Sequence, residues 1–195
     1  MLKRLVCLFF LSGVGVATAA DIAGLGWNGE FLLAQDGGGE SSSANIVKSP
    51  QSLDFKLEFN ALQAGADGQK TEGTSSFSGQ LLVMKPQNVK LPTITIKVQG
   101  NIVKTLGSTA RVDVAVGDLR ETFEWKADEV ISGNFEKILS GTATDRFLAE
   151  PLKVTLITWA TKTPGDGAVL VTVNKLDVTV AEASSVANLS PDFAH

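Results

Sequence analysis

The sequence has almost none of the side chains that proteins most often use for nucleophilic, acid–base or redox chemistry. Among 195 residues there are one cysteine, one histidine and no tyrosine. The histidine is His195, the last residue, where nothing fixes its position as a general base. Zinc, copper and iron sites are built mainly from histidine and cysteine. The sequence therefore predicts no transition-metal site and no nucleophilic catalysis. We identify no catalytic, cofactor-binding or metal-binding residue.

Carboxylates are the reactive groups that remain. Calcium takes oxygen ligands only, so it is the one cation for which the sequence offers candidate ligands. These are acidic residues in three glycine-rich loops: Asp36 with Glu40, Asp67 with Glu72, and Asp166. Their spacing matches no known calcium-binding loop. Two carboxylates alone can hydrolyse a glycoside, and Asp54 and Glu58 share one face of a predicted strand. Charged residues that alternate with apolar ones are usually the solvated side of a sheet, so a carboxylate-dependent hydrolase is the least favoured function.

The amino-terminal 20 residues have the pattern of a secretory signal peptide. Two basic residues are followed by the mostly apolar run Leu5–Val16 and then by four small residues. The apolar run is too short to cross a membrane as a helix. We expect cleavage at Ala19 or Ala20, which removes Cys7 and leaves a cysteine-free mature chain. The protein is thus predicted to be exported, to the periplasm or the extracellular space.

Charge and hydropathy restrict the partners. The predicted leader contains two of the 17 basic residues and no acidic one, which leaves 15 basic against 21 acidic residues and a net charge of −6. Nucleic-acid binding needs a basic surface, so we expect no nucleic-acid partner. The mature chain has no apolar run of 18 residues, so we predict no transmembrane helix in it.

Alternation of apolar and polar residues is the dominant pattern of the mature chain. Leu53, Phe55, Leu57 and Phe59 alternate with polar residues, as in a strand with one buried face. The same period of two recurs in five further segments, around Ile94–Val98, Val112–Val116, Phe123–Trp125, Leu152–Leu156 and Val169–Val173. The pattern predicts an all-β fold, an antiparallel β-sandwich of roughly eight or nine strands, with a closed β-barrel as the alternative.

The chain is long enough for one domain, which we place at residues 21–183. Two segments rich in glycine and small polar residues, 36–45 and 64–76, are predicted to be flexible loops, and residues 184–195 a polar tail. Residues 128–139 are a candidate short helix, although Gly133 disfavours it. The dipeptides Gly100-Asn101 and Gly117-Asp118 are candidate tight turns or bulges.

A hairpin is predicted near the carboxyl end. Segments 153–161 and 169–180 flank the turn-forming residues 163–167, and antiparallel pairing of Trp159 with Val171 sets apolar residues opposite apolar ones. In this register the apolar face changes side midway. Two explanations are left open: a strand that bends between two sheets, or a bulge near Asn174 and Lys175.

The three tryptophans have different predicted roles. Trp125 and Trp159 are in phase with apolar positions, which favours the core. Trp27 lies among glycines and is the candidate exposed binding anchor.

These observations favour an exported, non-catalytic binding or structural module that acts through its surface, its loops or its sheet edges. Its expected partner is a protein or a surface polymer, or other copies of itself. The alternative is a periplasmic carrier of a small apolar ligand, because 44% of the residues are hydrophobic. No cofactor is expected.

Overall fold

The computed structural model of the protein describes residues 26–33, 41–89, 92–143, 150–165 and 167–182. These residues form ten β-strands, and no helix occurs among them. The strands are β1 (Asn28–Leu33), β2 (Ser41–Lys48), β3 (Ser52–Ala66), β4 (Glu72–Met84), β5 (Pro92–Lys104), β6 (Ser108–Val116), β7 (Leu119–Trp125), β8 (Ile131–Thr142), β9 (Leu152–Lys162) and β10 (Val169–Glu182).

The strands form two five-stranded antiparallel sheets that pack face to face. The first sheet has the order β1-β4-β9-β6-β7 and the second the order β2-β3-β10-β5-β8. The predicted β-sandwich is confirmed, with ten strands where eight or nine were expected, and the closed-barrel alternative is wrong. Each sheet keeps two edge strands, so β1 and β7 flank the first sheet while β2 and β8 flank the second.

The core lies between the sheets and follows the predicted alternation. Every second residue of the central strands is buried, including Phe55, Ile96, Val112, Leu156 and Val178. Because successive side chains of a strand point to opposite faces, the residues between them form the outer faces of the sandwich. All six segments that alternation predicted as strands are strands.

Three local predictions need correction. The predicted loop 64–76 is shorter than expected and covers residues 67–71 only. β3 continues to Ala66, and β4, which lies in the opposite sheet, begins at Glu72. In the predicted loop 36–45, residues 41–45 belong to β2. Residues 131–139 of the candidate helix 128–139 belong to the edge strand β8, which pairs with β5 along its full length, so these residues form backbone hydrogen bonds to a neighbouring strand instead of helical ones.

The predicted hairpin of β9 with β10 is wrong. β9 pairs with β4 and β6 in the first sheet, whereas β10 pairs with β3 and β5 in the second. The turn after Thr163 therefore carries the chain from one sheet to the other, and Trp159 does not lie opposite Val171. The change of apolar phase in β10 is the bulge: the register shifts between Val173 and Lys175, so residues on both sides of Asn174 face the same core.

The two glycine dipeptides have different roles. Gly117 and Asp118 form the predicted tight turn between β6 and β7, with Gly117 at a φ of 58°. Gly100 instead lies inside β5, beside the bulge of β10, where an added Cβ would lie 2.0 Å from the carbonyl oxygen of Thr172 and 2.7 Å from the ring of Phe135. Only glycine lets the bulged strand and the ring approach so closely.

Several predictions lie outside the described residues and stay predictions. They concern the leader 1–20 with Ala19 and Ala20, the tail 184–195, Cys7, His195, and the acidic residues Asp36, Glu40 and Asp166.

A candidate binding face around Trp159

The structure exchanges the expected roles of two tryptophans. Trp27, the candidate exposed anchor, is buried in the core with 4% of its surface exposed, and Trp125 is buried as predicted. Trp159, expected in the core, is 38% exposed on the outer face of the first sheet. The exposed tryptophan that the sequence predicted at position 27 is therefore at position 159.

The alternation within β9 explains this position. Leu152, Val154, Leu156 and Ala160 are buried at even positions, so the odd positions, Trp159 among them, face outwards. The alternation of buried even positions and outward odd positions was visible in the sequence. The predicted hairpin, however, paired Trp159 with Val171 and so placed Trp159 on the core side. Across the outer face, Trp159 lies in register with Thr74 of β4 and Arg111 of β6.

A charged pair holds the indole of Trp159. The guanidinium of Arg111 lies over the ring, 5.3 Å from the centroid, in a cation–π contact. Arg111 also donates from Nη2 to Oδ2 of Asp113 over 2.7 Å, and the indole Nε1 donates to the same oxygen over 3.2 Å. Thr122 completes the arrangement by donating its hydroxyl to Oδ1 of Asp113 over 2.8 Å. The arrangement fixes the indole by contacts on two sides.

The hydrogen-bonded group formed by Trp159, Arg111, Asp113 and Thr122 lies between two adjoining grooves of the outer face. A groove of about 680 Å³ runs along β6, β7 and β9, and its lining includes Arg120, Glu121, Lys153 and Thr155. A second groove of about 340 Å³ is lined by Thr109, Arg111, Glu124, Trp159 and Thr161. Arg111 lines both grooves, so they meet at its side chain, and Trp159 lines the smaller one.

The charges of this face balance. The side chains that line the two grooves include three cationic ones, Arg111, Arg120 and Lys153, and three anionic ones, Asp113, Glu121 and Glu124.

The Nε atom of Arg111 is buried and has no hydrogen-bond partner. A buried donor without a partner costs about 1–3 kcal/mol, so the fixed position of Arg111 is held at some expense of stability.

The carboxylates singled out in the sequence lie elsewhere. Asp54 accepts hydrogen bonds from Ser52 over 3.2 Å and from Thr179 over 2.6 Å on the outer face of the second sheet, and Glu58 accepts one from Ser43 over 3.2 Å. Asp67 and Glu72 are exposed at the two ends of the short β3–β4 connection. Within the described part of the chain, no three His, Cys, Asp or Glu residues group closely enough to hold a metal ion.

One carboxylate has a shifted pKa. The hydrogen bond from Gln99, and then that from Lys97, lower the pKa of Glu136 on the second sheet. Gln99 donates to Oε2 of Glu136 over 2.7 Å, and the ammonium of Lys97 lies 3.3 Å from the same oxygen. These contacts link the edge strand β8 to β5 and lie on the sheet opposite Trp159.

Among the residues described, no helix has the length and apolar character needed to span a membrane.

Comparisons with known proteins find structural similarities only. A structure of infectious bursal disease virus, Gx strain, matches with a TM-score of 0.41 and 13% identity over 71% of this chain. A structure described as "CBM4 structure and function" matches with a TM-score of 0.28 and 14% identity, covering 80% of this chain and 86% of the other. The chain spans about a third (34%) of the length of the viral chain that it matches. No family model and no curated protein matches the sequence.

Proposed function

We propose that the protein is an exported, non-catalytic binding module whose ligand lies on the Trp159 face, meaning the outer face of the first sheet around Trp159, Arg111 and Asp113. One observation carries the proposal: a large aromatic ring is exposed on a polar face and is fixed there by a cation–π contact and a hydrogen bond. An aromatic side chain fixed before binding loses little conformational freedom when a ligand arrives, which favours affinity.

The position of the face in the fold supports a binding role. Its side chains come from the central strands β6 and β9 and from the edge strand β7, not from loops. Sites on regular elements hold their geometry better than sites on mobile segments. The sequence left the surface, the loops and the sheet edges open as sites of recognition, and the position of Trp159 favours the surface of a sheet.

The chemistry of the face supports binding over catalysis. Both oxygens of Asp113 accept hydrogen bonds from protein groups. A carboxylate whose two oxygens are engaged by an arginine, an indole and a hydroxyl suits the positioning of these side chains. The carrier of an apolar ligand lacks a comparable observation, because seven of the eleven residues that line the groove along β6, β7 and β9 are charged or carry a hydroxyl group.

The test compares Trp159→Ala with Leu170→Ala. Leu170 is 44% exposed on the second sheet, so its truncation removes a similar apolar surface from the opposite side of the molecule. Purified wild type and both variants are applied to an array of immobilised neutral polysaccharides, acidic polysaccharides and peptides. We expect the wild type and Leu170→Ala to bind the same spots, and Trp159→Ala to lose them.

Binding that survives in Trp159→Ala, or an array on which the wild type binds nothing, overturns the proposal. A parallel screen on chromogenic glycosides tests the non-catalytic part. Turnover that disappears on substitution of one carboxylate, such as Asp54 or Glu58, would show an enzyme instead.

A further inference from the structure

We infer that the ligand of the Trp159 face is a neutral glycan chain. The inference rests on the proposed function and names the chemistry of its ligand. Three observations support it. The indole is fixed, the hydroxyl and charged side chains around it carry no net charge, and the groove continues past the indole.

The indole supplies a flat surface of the right polarity. The face of an aromatic ring carries partial negative charge, and the C–H groups on one side of a pyranose ring present a flat apolar surface with partial positive charge. Arg111 occupies one face of the Trp159 ring, and over a third of the residue remains exposed. The inference requires that this exposed part includes the ring face opposite Arg111, on which a sugar ring would stack without displacing the arginine.

The side chains beside the indole suit a ligand rich in hydroxyl groups. Thr109 and Thr161 are paired across β6 and β9 and line the groove next to Trp159. A threonine hydroxyl both donates and accepts hydrogen bonds, as a sugar hydroxyl does. Glu124, in register with Arg111, adds a charged acceptor on the side of Arg111 away from Trp159. Such polar groups fix the orientation of a ligand that stacks on the aromatic ring.

The charge balance argues against an ionic ligand. Three cationic and three anionic side chains line the grooves, and Arg111 and Asp113 form an ion pair with N···O of 2.7 Å. The whole chain carries a net charge of −4, which disfavours a polyanion. A purely apolar ligand is disfavoured too, because it would strip water from these charged groups without replacing their hydrogen bonds.

The shape of the site favours a chain over a single sugar. The two grooves meet at Arg111, and together they extend from Thr161 near one end of β9 to Gly117 at the β6–β7 turn. A ligand ring on Trp159 therefore has room for linked units along β6 and β9. Several weak contacts along one chain add up to a useful affinity.

The experiment is affinity electrophoresis in native gels that contain a soluble polysaccharide. The neutral probes are mixed-linkage β-glucan, hydroxyethyl cellulose, galactomannan and dextran, and the acidic probe is polygalacturonate, all with EDTA present. We expect at least one neutral probe to retard the wild type and Leu170→Ala equally. Trp159→Ala should bind that probe at least about tenfold more weakly, a loss equivalent to about 1.4 kcal/mol. Trp159→Phe, which keeps an aromatic face, should retain part of the affinity.

A salt series separates stacking from charge attraction. Raising NaCl from about 0.1 M to about 1 M shortens the screening length from about 10 to about 3 Å and should leave binding of the neutral probe nearly unchanged. Retardation by no neutral probe, or equal retardation of wild type and Trp159→Ala, overturns the inference.

The remaining outcomes separate this inference from the proposed function. If Trp159→Ala abolishes binding only to polygalacturonate or to peptides on the array, the face binds a ligand of another class, so the glycan inference fails and the proposed function stands. If no binding of any kind depends on Trp159, both fail.

Discussion

The indole Nε1 of Trp159 donates a hydrogen bond to Oδ2 of Asp113 over 3.2 Å, across two neighbouring strands of the first sheet. The same oxygen accepts from Arg111 at 2.7 Å. One carboxylate thus orients both the indole and the guanidinium that lies over it. Asp113 is the residue on which the geometry of the face depends.

Replacing Asp113 with alanine should loosen Trp159 and lower stability. Hydrogen bonds to a charged group contribute about 1.5–3 kcal/mol each when buried and less when partly exposed, so we expect the free energy of unfolding to fall by about 1–3 kcal/mol. Iodide should quench Trp159 more strongly in the variant, whereas Trp27 and Trp125 are buried. Urea titration and iodide quenching measure the two effects.

The matched control is Asp54→Ala. Asp54 accepts two side-chain hydrogen bonds on the second sheet, against the three that Asp113 accepts on the first. It should lower stability to a similar extent and leave iodide quenching unchanged. Equal quenching in both variants would show that Asp113 does not orient the indole.

Gly100→Ala should strongly destabilise the sandwich. The new methyl group would meet the Thr172 carbonyl oxygen at 2.0 Å, and backbone cannot move away without breaking the β5–β10 ladder. Overpacking of this kind costs about 1–3 kcal/mol or more. In Gly65→Ala the nearest atom lies at 3.3 Å on a flexible leucine side chain, so this variant should lose far less. Thermal unfolding of the two variants compares them, and similar melting temperatures would contradict the close approach at Gly100.

Lys104→Met should leave the protein as stable as the wild type or make it more stable. Lys104 is 1% exposed, and its ammonium donates to the backbone oxygen of Glu129. Burying a charge costs more than one such hydrogen bond returns, and methionine fills a similar volume without that cost. Water can replace the donor at Glu129, which is exposed. A loss of more than about 2 kcal/mol in urea titration would show that the ammonium contributes net stability.

Lys137→Ile should make the protein self-associate. Lys137 lies on the edge strand β8, and its ammonium is 5.9 Å from the ring centroid of Phe123 and 5.7 Å from that of Trp125. Charged residues that point inwards on an edge strand oppose pairing with another molecule. The control Lys56→Ile removes the same charge from the non-edge strand β3. Sedimentation velocity should show oligomers for Lys137→Ile alone, and a monomeric Lys137→Ile would refute the protective role.

The pKa of Glu136 should rise in Gln99→Ala. The hydrogen bond from Gln99 is the main cause that lowers this pKa below its ordinary value of 4.5, followed by Lys97. Because the folded-state pKa is the lower one, the stabilisation is present above pH 4.5 and is lost as the pH falls through the folded-state pKa. Carboxyl-carbon NMR titration measures the shift.

The control for this titration is Ser140→Ala. It removes a hydrogen bond between the same two strands, that of Ser140 with Thr95 over 3.1 Å. The pKa of Glu136 should then stay where it is in the wild type. An equal shift in both variants would point to a general loosening of β8 instead of the Gln99 contact.

Alternation along the chain predicted the strands because each one buries a single face. Leu53 to Phe59 and Val112 to Val116 lie in β3 and β6 with the expected sides inwards. The same pattern did not single out β1, β2, β4 and β8. Of these, β1, β2 and β8 are edge strands, and β2 and β8 are exposed along most of their length. The internal strand β4 was missed because Gly79 replaces an apolar side chain between Phe77 and Leu81, which interrupts its alternation. In β8 the hydrophobic residues that pack against the core are Ile131, Phe135 and Leu139, all partly buried.

Sheet assignment was not predictable from the same pattern. The segments after Leu152 and after Val169 match each other as a hairpin would, but apolar residues match almost any other buried strand equally well. A turn such as residues 163–167 reverses the chain whether the next strand pairs with the last one or crosses to the other sheet. The position of Trp159 depended on that choice, and its polar partners Arg111 and Asp113 lie on β6, more than 40 residues earlier in the chain.

The place of β10 has a consequence for how the protein is made. β10 is the last of the ten strands that the structure describes, yet it lies in the middle of the second sheet, between β3 and β5. Until residues 169–182 have been synthesised, the β2–β3 pair and the β5–β8 pair have no strand to join them. During synthesis from the amino end, the edges of β3 and β5 that will pair with β10 therefore stay unpaired until residues 169–182 have been made. Folding of this sandwich is completed after translation of β10, and a chain truncated before Val169 lacks the strand that holds the second sheet together.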